Sequence, residues 1–274
     1  MLIGKKEFQT SGHTYVMGIL NMTPDSFSDG GKWNDTDRAL RHVEEMIEAG
    51  ADIIDIGGES TRPGYTVLPE EEEIRRAVPI IEAVKAAFDI PVSLDTYKPG
   101  VALAGIAAGA DLMNDIWGLK YDSRMGEIIA ESGLPCCLMH NRREADYKTF
   151  LPEVISDLQE TLHLAKKAGI PEEKIILDPG VGFGKTYEQN LEVIRRLEEL
   201  KQLHCPLLLG CSRKSVIGLT LDLPVEQRLE GTLTTTVMAV LSGCMFVRVH
   251  DVRENVRAIK MAEAIIHMQE DRMN

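Results

Sequence analysis

The feature that most limits what this chain can fold into is an alternation repeated eight times. Short β-branched or Leu-rich runs (YVMGIL, DIIDIG, PVSLD, DLMND, PCCLMH, KIILD, PLLLG and MFVRV) are each followed by a polar, Gly- or Pro-rich turn and a segment of helical period. After the fifth run, Leu151, Val154, Ile155, Leu158, Leu162 and Ala165 recur at helical spacing among Glu, Asp, Gln and Lys, which makes one apolar face. Strands apolar on both faces and separated by helices require a parallel sheet covered by helices, and eight repeats favour closure into an α/β (β/α)8 TIM barrel. Thr186 three residues before Gln189, and Asp251 three before Glu254, read as capping boxes opening the sixth and eighth helices. The first residues, LIGKKEFQTSGHTY, alternate and are expected to form a short N-terminal β-hairpin turning at Ser11-Gly12 and capping the barrel bottom.

A length of 274 residues suits one barrel domain spanning 1–274, with no composition shift to mark a boundary. A chain of this size buries roughly 75% of its unfolded surface and needs no disulfide to fold. The five cysteines, Cys136, Cys137, Cys205, Cys211 and Cys244, lie in or beside apolar runs without a C-x-x-C, so reduced, packed thiols in a cytoplasmic protein are expected. No apolar run reaches ~20 residues and no leader pattern opens the chain, so neither secretion nor membrane insertion is expected. A formal net charge of −13, with Lys and Arg scattered among Glu, repels polyanions and argues against a nucleic-acid partner. Any anion must be gripped by a few converging groups.

In a barrel those groups come from the strand C-termini. Here the strands deliver, in order, Asn21, Gly57-Gly58-Glu59, Asp95, Asn114-Asp115, His140-Asn141, Asp178, Ser212-Arg213-Lys214 and Arg248-Val249-His250. Polar loop ends are common in any one βα unit, but the ensemble is not. Asp95, Asp178 and Asn114 converging beside Lys214 and Arg248 call for a ligand that supplies donors, because buried carboxylates without partners are costly. A fused heterocycle with an amidine-like N–H pair meets that need at roughly 1.5–3 kcal/mol per charge-assisted hydrogen bond. Strand alternation predicts Lys214 in the pocket and Arg213 in a structural ion pair. Arg248 and His250 share a side, and beside Asn21 they suit a phosphate or diphosphate carrying Mg²⁺.

The segment LDPGVGFGKT carries neither a P-loop, since Pro179 stands where the first Gly belongs, nor a dinucleotide fingerprint. Its glycines are expected to let backbone approach a ligand closely. Two long polar loops, NMTPDSFSDGG after the first strand and GGESTRPG after the second, read either as surface turns or as a lid bringing Phe27 and Arg62 over substrate.

Eight ordered motifs (GILNMTPDSFSDGG, DIIDIGGESTRPG, SLDTYKP, NDIWG, LDPGVGFGKT, CSRKS, EGT and RVHDV) span nearly the whole chain, which closely resembles the bacterial dihydropteroate synthases. The resemblance implies a transferase of folate synthesis that joins 4-aminobenzoate to 6-hydroxymethyl-7,8-dihydropterin diphosphate and releases pyrophosphate. It implies a pterin pocket of Asp95, Asn114, Ile116, Met139, Asp178, Phe183 and Lys214. Pyrophosphate would fall to Asn21, Thr61, Arg62, Arg248 and His250, with Mg²⁺ on Asn21. Aminobenzoate would meet Phe27, Thr61, Pro63, Ser212 and Lys214. Asp95, Asp178, Lys214 and Arg248 would carry the chemistry. Where relatives often have a Gly- and Met-containing stretch after the fifth strand, this chain reads MHNRREADYKTF, so the resemblance assigns that loop no role.

A methyltransferase acting on methyltetrahydrofolate shares the barrel and the pterin pocket but needs no diphosphate site; Arg248-x-His250 with Asn21 and the two loops favours the synthase. A barrel that binds pterin without turnover is a third reading, disfavoured because every position of the pattern is filled. The seventh helix, placed at Glu226 to Ser242, contains TLTTTVMAVL, weakly polar nearly all round, and is expected to gain cover in a homodimer.

Overall fold

The structure, a computed structural model, describes residues 1–21, 32–59 and 67–268. A small antiparallel pair, β1 (Leu2–Ile3) and β2 (Lys6–Glu7), precedes eight parallel strands. These are β3 (Tyr15–Asn21), β4 (Ile53–Gly57), β5 (Val92–Asp95), β6 (Leu112–Asp115), β7 (Cys136–Met139), β8 (Ile175–Asp178), β9 (Leu208–Leu209) and β10 (Phe246–Val249). Each pairs with its neighbour in the order β8-β7-β6-β5-β4-β3-β10-β9, and a parallel bridge from Leu177 to Leu207 brings the two ends together. The expected (β/α)8 barrel is therefore what forms. Each of the eight apolar runs supplies one strand.

Helices α1 (Lys32–Ala49), α2 (Glu70–Ala87), α3 (Pro99–Ala107), α4 (Arg124–Ser132), α5 (Phe150–Ala168), α6 (Tyr187–Arg195), α7 (Ser215–Leu221), α8 (Leu229–Leu241) and α9 (Val252–His267) surround the sheet. None is long and apolar enough to cross a membrane among the described residues. In α5, Leu151, Val154, Leu158 and Ala165 are buried, as their spacing requires. The Thr186–Gln189 capping box forms in both directions at the start of α6. The box expected at Asp251 does not, because that carboxylate is taken by Arg213. The seventh helix begins at Leu229 rather than 226; a separate turn, Val225–Gln227, and the short α7 fill the connection before it.

The hairpin exists, but it turns at Gly4, in the left-handed region (φ 59°), and not at Ser11-Gly12. Only a residue without Cβ fits there, since an added Cβ would stand 2.8 Å from the Asp111 carboxylate. The hairpin delivers Ile3 and Phe8 into the foot of the barrel, against Met17, Ile53, Leu112 and Phe246. Side chains two residues further along a strand return to the same face. Above this apolar layer the inward positions become Ile19, Asp55, Ser93, Asn114, Asp178 and Arg248, so the interior changes from hydrocarbon to charge within one step of the strands. All five cysteines are buried and unpaired, as small apolar residues of the strands and their ends.

Candidate active site

The polar layer opens into a cavity of about 300 Å³ at the C-terminal end of the strands. Asn21, Asp95, Asn114, Ile116, Met139, Asp178, Phe183, Ser212, Lys214, Arg248 and His250 all line it. Phe27, Thr61, Arg62 and Pro63, also expected there, lie outside the described residues.

At the floor, the Arg248 guanidinium donates from Nε to Asp55 Oδ2 (2.6 Å) and from Nη2 to Asp95 Oδ2 (2.7 Å). Burial alone would ease its proton off, but the two carboxylates outweigh that and hold it above the ordinary arginine value. Asp55 is fully buried and also accepts from Ser93 Oγ (2.5 Å) and Asn114 Nδ2 (3.3 Å). Asp95 is less well served. Its Oδ1 is buried with no hydrogen-bond partner, and burial, opposed by Arg248 and reinforced by Asp55, pushes its carboxyl up to about 7. A buried acceptor without a donor costs roughly 1–3 kcal/mol. A ligand N–H placed there recovers it.

Asp178 faces the same space from β8. Its Oδ1 accepts from Gly180 N (2.7 Å), and burial raises its carboxyl against the pull of Lys214 and that N–H. Lys214 donates to the Val181 carbonyl and sits 4.6 Å from the centre of the Phe183 ring. Burial lowers its ammonium, with Asp178 opposing. Phe183 packs with Ile116, Met139, Tyr97 and Trp117 into one apolar wall. Across the cavity, Ser212 Oγ lies 3.0 Å from His250 Nδ1 and accepts from His250 N (3.2 Å), joining the loop after β9 to the end of β10.

Lys214 in the cavity and Arg213 paired with Asp251 match expectation, by a different route. Strand β9 ends at Leu209, so alternation no longer operates at 212–214. Instead Arg213 adopts a left-handed conformation (φ 57°), which swings its side chain to Asp251 while Lys214 turns inward. Asp115, beside Asn114, is not a cavity group: it accepts from the N–H groups of Trp117 (2.8 Å) and Leu119 (2.7 Å) and ties down the turn after β6.

Residues 17–250 match the family of pterin binding enzymes. A curated dihydropteroate synthase of Clostridium beijerinckii is 61% identical over 97% of this chain and 99% of its own length. The chain belongs to the dihydropteroate synthases. A crystal structure of such an enzyme from Clostridium difficile, determined in the presence of pteroic acid, superposes with a TM-score of 0.92 at 48% identity, covering 94% of this chain and 99% of that one. Another, from Xanthomonas albilineans with 4-aminobenzoic acid, gives 0.88 at 42% identity over 92% and 93% of the two chains.

For a dihydropteroate synthase, three parts of this site escaped the sequence reading. Asp55 was hidden inside the strand DIIDIG; an acid at an inward position of an otherwise apolar run was the signal. Arg228 reaches the cavity rim from ahead of α8, where it donates to the Arg213 carbonyl (3.0 Å), and nothing local marks it. The third is the pairing of His140, expected among the strand-end groups but absent from the cavity lining, with Asp157 and Lys185 in a polar unit behind the 180–184 turn.

Proposed function

We propose that the chain condenses 6-hydroxymethyl-7,8-dihydropterin diphosphate with 4-aminobenzoate, with the pterin held at the cavity floor and the diphosphate toward His250. The observation that carries this reading is the buried, donor-starved Oδ1 of Asp95 in the same cavity as Asp178 and Asn114. These acceptors suit the N–H edge of a pterin, and Phe183, Ile116 and Met139 suit its flat faces. Solved relatives were determined in the presence of pteroic acid and with 4-aminobenzoic acid.

The reaction follows from the placement of charge. As the bond from the exocyclic methylene carbon to oxygen breaks, its electron pair leaves with pyrophosphate, toward Ser212 and His250 with Lys214 beside them, while Arg248 stays bound to Asp55 and Asp95 at the floor. Cation character spreads into the dihydropterin ring, whose N–H edge Asp95 and Asp178 face. The arylamine is largely neutral at pH 7, so its lone pair forms the new C–N bond and the surplus proton passes to solvent. No protein nucleophile is needed. Among the described residues no group of three or more His, Cys, Asp or Glu could hold a metal by itself. Mg²⁺ keeps several waters and needs few protein ligands when phosphates provide the rest, which the single amide oxygen of Asn21 fits. Asn21 would hold that ion, which when bound neutralises part of the leaving-group charge.

Three exposed apolar residues of the adjacent helices α8 and α9, Leu241, Met261 and Ile265, support a homodimer through the C-terminal helices. The buried, unpaired thiols fit a cytoplasmic setting.

The test is release of pyrophosphate from the pterin diphosphate, followed with and without 4-aminobenzoate and Mg²⁺. Formation of the C–N-linked dihydropteroate in step with pyrophosphate supports the reading; pyrophosphate release in the presence of the amine without that product, or no release at all, overturns it.

A further inference from the structure

The 180–184 turn holds three glycines in the left-handed region, at φ 69°, 85° and 53° for Gly180, Gly182 and Gly184. It lies so close to the segment after β7 that a Cβ on Gly180 would stand 1.9 Å from the His140 carbonyl oxygen, and one on Gly184 would stand 2.3 Å from that of Arg142. The segment MHNRREADYKTF, for which the family resemblance supplied no role, is the bed on which this turn rests.

Lys185 links the two. Its ammonium has three donors, and each has an acceptor: His140 Nδ1 (2.8 Å), the Gly180 carbonyl (2.9 Å) and the Phe183 carbonyl (3.1 Å). Burial lowers the Lys185 ammonium to about 7, with Asp178 opposing; below that pH it can only donate, so His140 Nδ1 accepts and the ring proton stays on Nε2, facing Asp157 Oδ2 (3.0 Å). Arg142 Nε holds the same carboxylate oxygen at 2.6 Å. Burial, helped by the neighbouring Lys185, pushes the imidazole down to about 4, in keeping with a neutral ring. The far side of the turn is tied as well, by Tyr147 OH to the Gly184 carbonyl (2.8 Å) and by Gly182 N to Asn190 Oδ1 (2.6 Å).

We infer that Lys185, seated on neutral His140 and anchored through it to Asp157, is a positioning residue for the pterin subsite. It sets where Phe183 and the Val181 carbonyl stand. Phe183 is the wall on which the ring of the substrate lies, and the Val181 carbonyl is the perch of Lys214, so the unit acts on pterin placement. Ser212 and His250 pair with each other elsewhere on the cavity lining. This inference rests on the reaction assigned above.

The test uses the full-length chain with Lys185→Met, His140→Leu and His140→Gln. Lys185→Met is expected to raise the KM for the pterin diphosphate about tenfold or more, with a clearly smaller rise for aminobenzoate, which shares only Lys214 with that wall. His140→Leu should do the same, and His140→Gln, which keeps an acceptor for Lys185 and a donor for Asp157, should recover most of the loss. Equal rises in both KM values, an unchanged pterin KM, or no difference between the Leu and Gln variants would overturn the inference. Should Lys185→Met fail to fold, the two His140 variants decide by the same criteria. Nitrogen NMR of His140 in the wild-type chain reads the bridge without turnover: a neutral Nε2–H ring from pH 5 to 8 supports it, and titration near 6.5 overturns it. Absence of turnover by the wild type would instead count against the assigned reaction.

Discussion

Asp95→Asn separates what the cavity does for the substrate from what it does to the fold. In the wild type the Asp95 carboxyl is raised from its ordinary value of 3.8 to about 7 by burial and by Asp55, against Arg248. A carboxyl that binds its proton more tightly folded than unfolded contributes stability that is complete below about pH 4 and drains away as pH climbs to 7. Over that interval the loss amounts to about 4 kcal/mol at 1.36 kcal/mol per pKa unit. Asparagine cannot ionise and is free of this drain, so the variant should gain on wild type as pH rises, by up to about 4 kcal/mol, or roughly 10 °C in Tm, at pH 8. Catalysis should move the other way. Losing the charge-assisted hydrogen bond that Oδ1 offers the pterin, at roughly 1.5–3 kcal/mol, lowers kcat/KM by about ten- to a hundredfold. Pyrophosphate inhibition, which draws on the other end of the cavity, should weaken much less. Thermal unfolding of both proteins from pH 5 to 8, with steady-state kinetics at pH 7.5, measures each part. Parallel Tm curves would refute the electrostatic argument. Equal losses of turnover and pyrophosphate affinity would reduce Asp95 to a general positioning role.

Two further outcomes are expected. Lys98 bridges Glu59 and Glu73 (2.7 Å each) with all three side chains almost wholly buried, so Lys98→Met should destabilise by about 3–5 kcal/mol at pH 8. Burial already raises the Glu73 carboxyl, and loss of the lysine raises it further, so stability drains as pH increases and the deficit should be smaller at pH 5.5; equal Tm deficits at the two pH values would refute this. Light scattering at micromolar concentration should give a dimer for the wild type and a monomer for Met261→Lys with Ile265→Lys; a monomeric wild type would remove the proposed interface.

The barrel was legible because its signal is periodic, and eight apolar runs separated by amphipathic segments survive any error at a single boundary. The candidate site was legible where a strand ends, since Asp95, Asn114, Asp178 and Arg248 sit at the turn from hydrophobic to polar residues. Features that depend on distant partners were not. Asp55 is a site residue only because β5, β6 and β10 bring Ser93, Asn114 and Arg248 to it. Asp251 carries a capping signature, yet a guanidinium 38 positions away outbids the helix N-terminus for its carboxylate. The hairpin turns at Gly4-Lys5, a Gly-first two-residue loop that competes in the sequence with Ser11-Gly12, and burying Ile3 and Phe8 in the barrel foot selects it.

That buried foot also governs traffic. With Ile3 and Phe8 acting as a stopper below, the cavity among the described residues lies at the upper end of the strands, and on the proposed reading both reactants and both products share that end. Whatever settles deepest has to arrive early and depart late, so the depth of the acidic floor imposes a queue on the substrates before any chemistry begins.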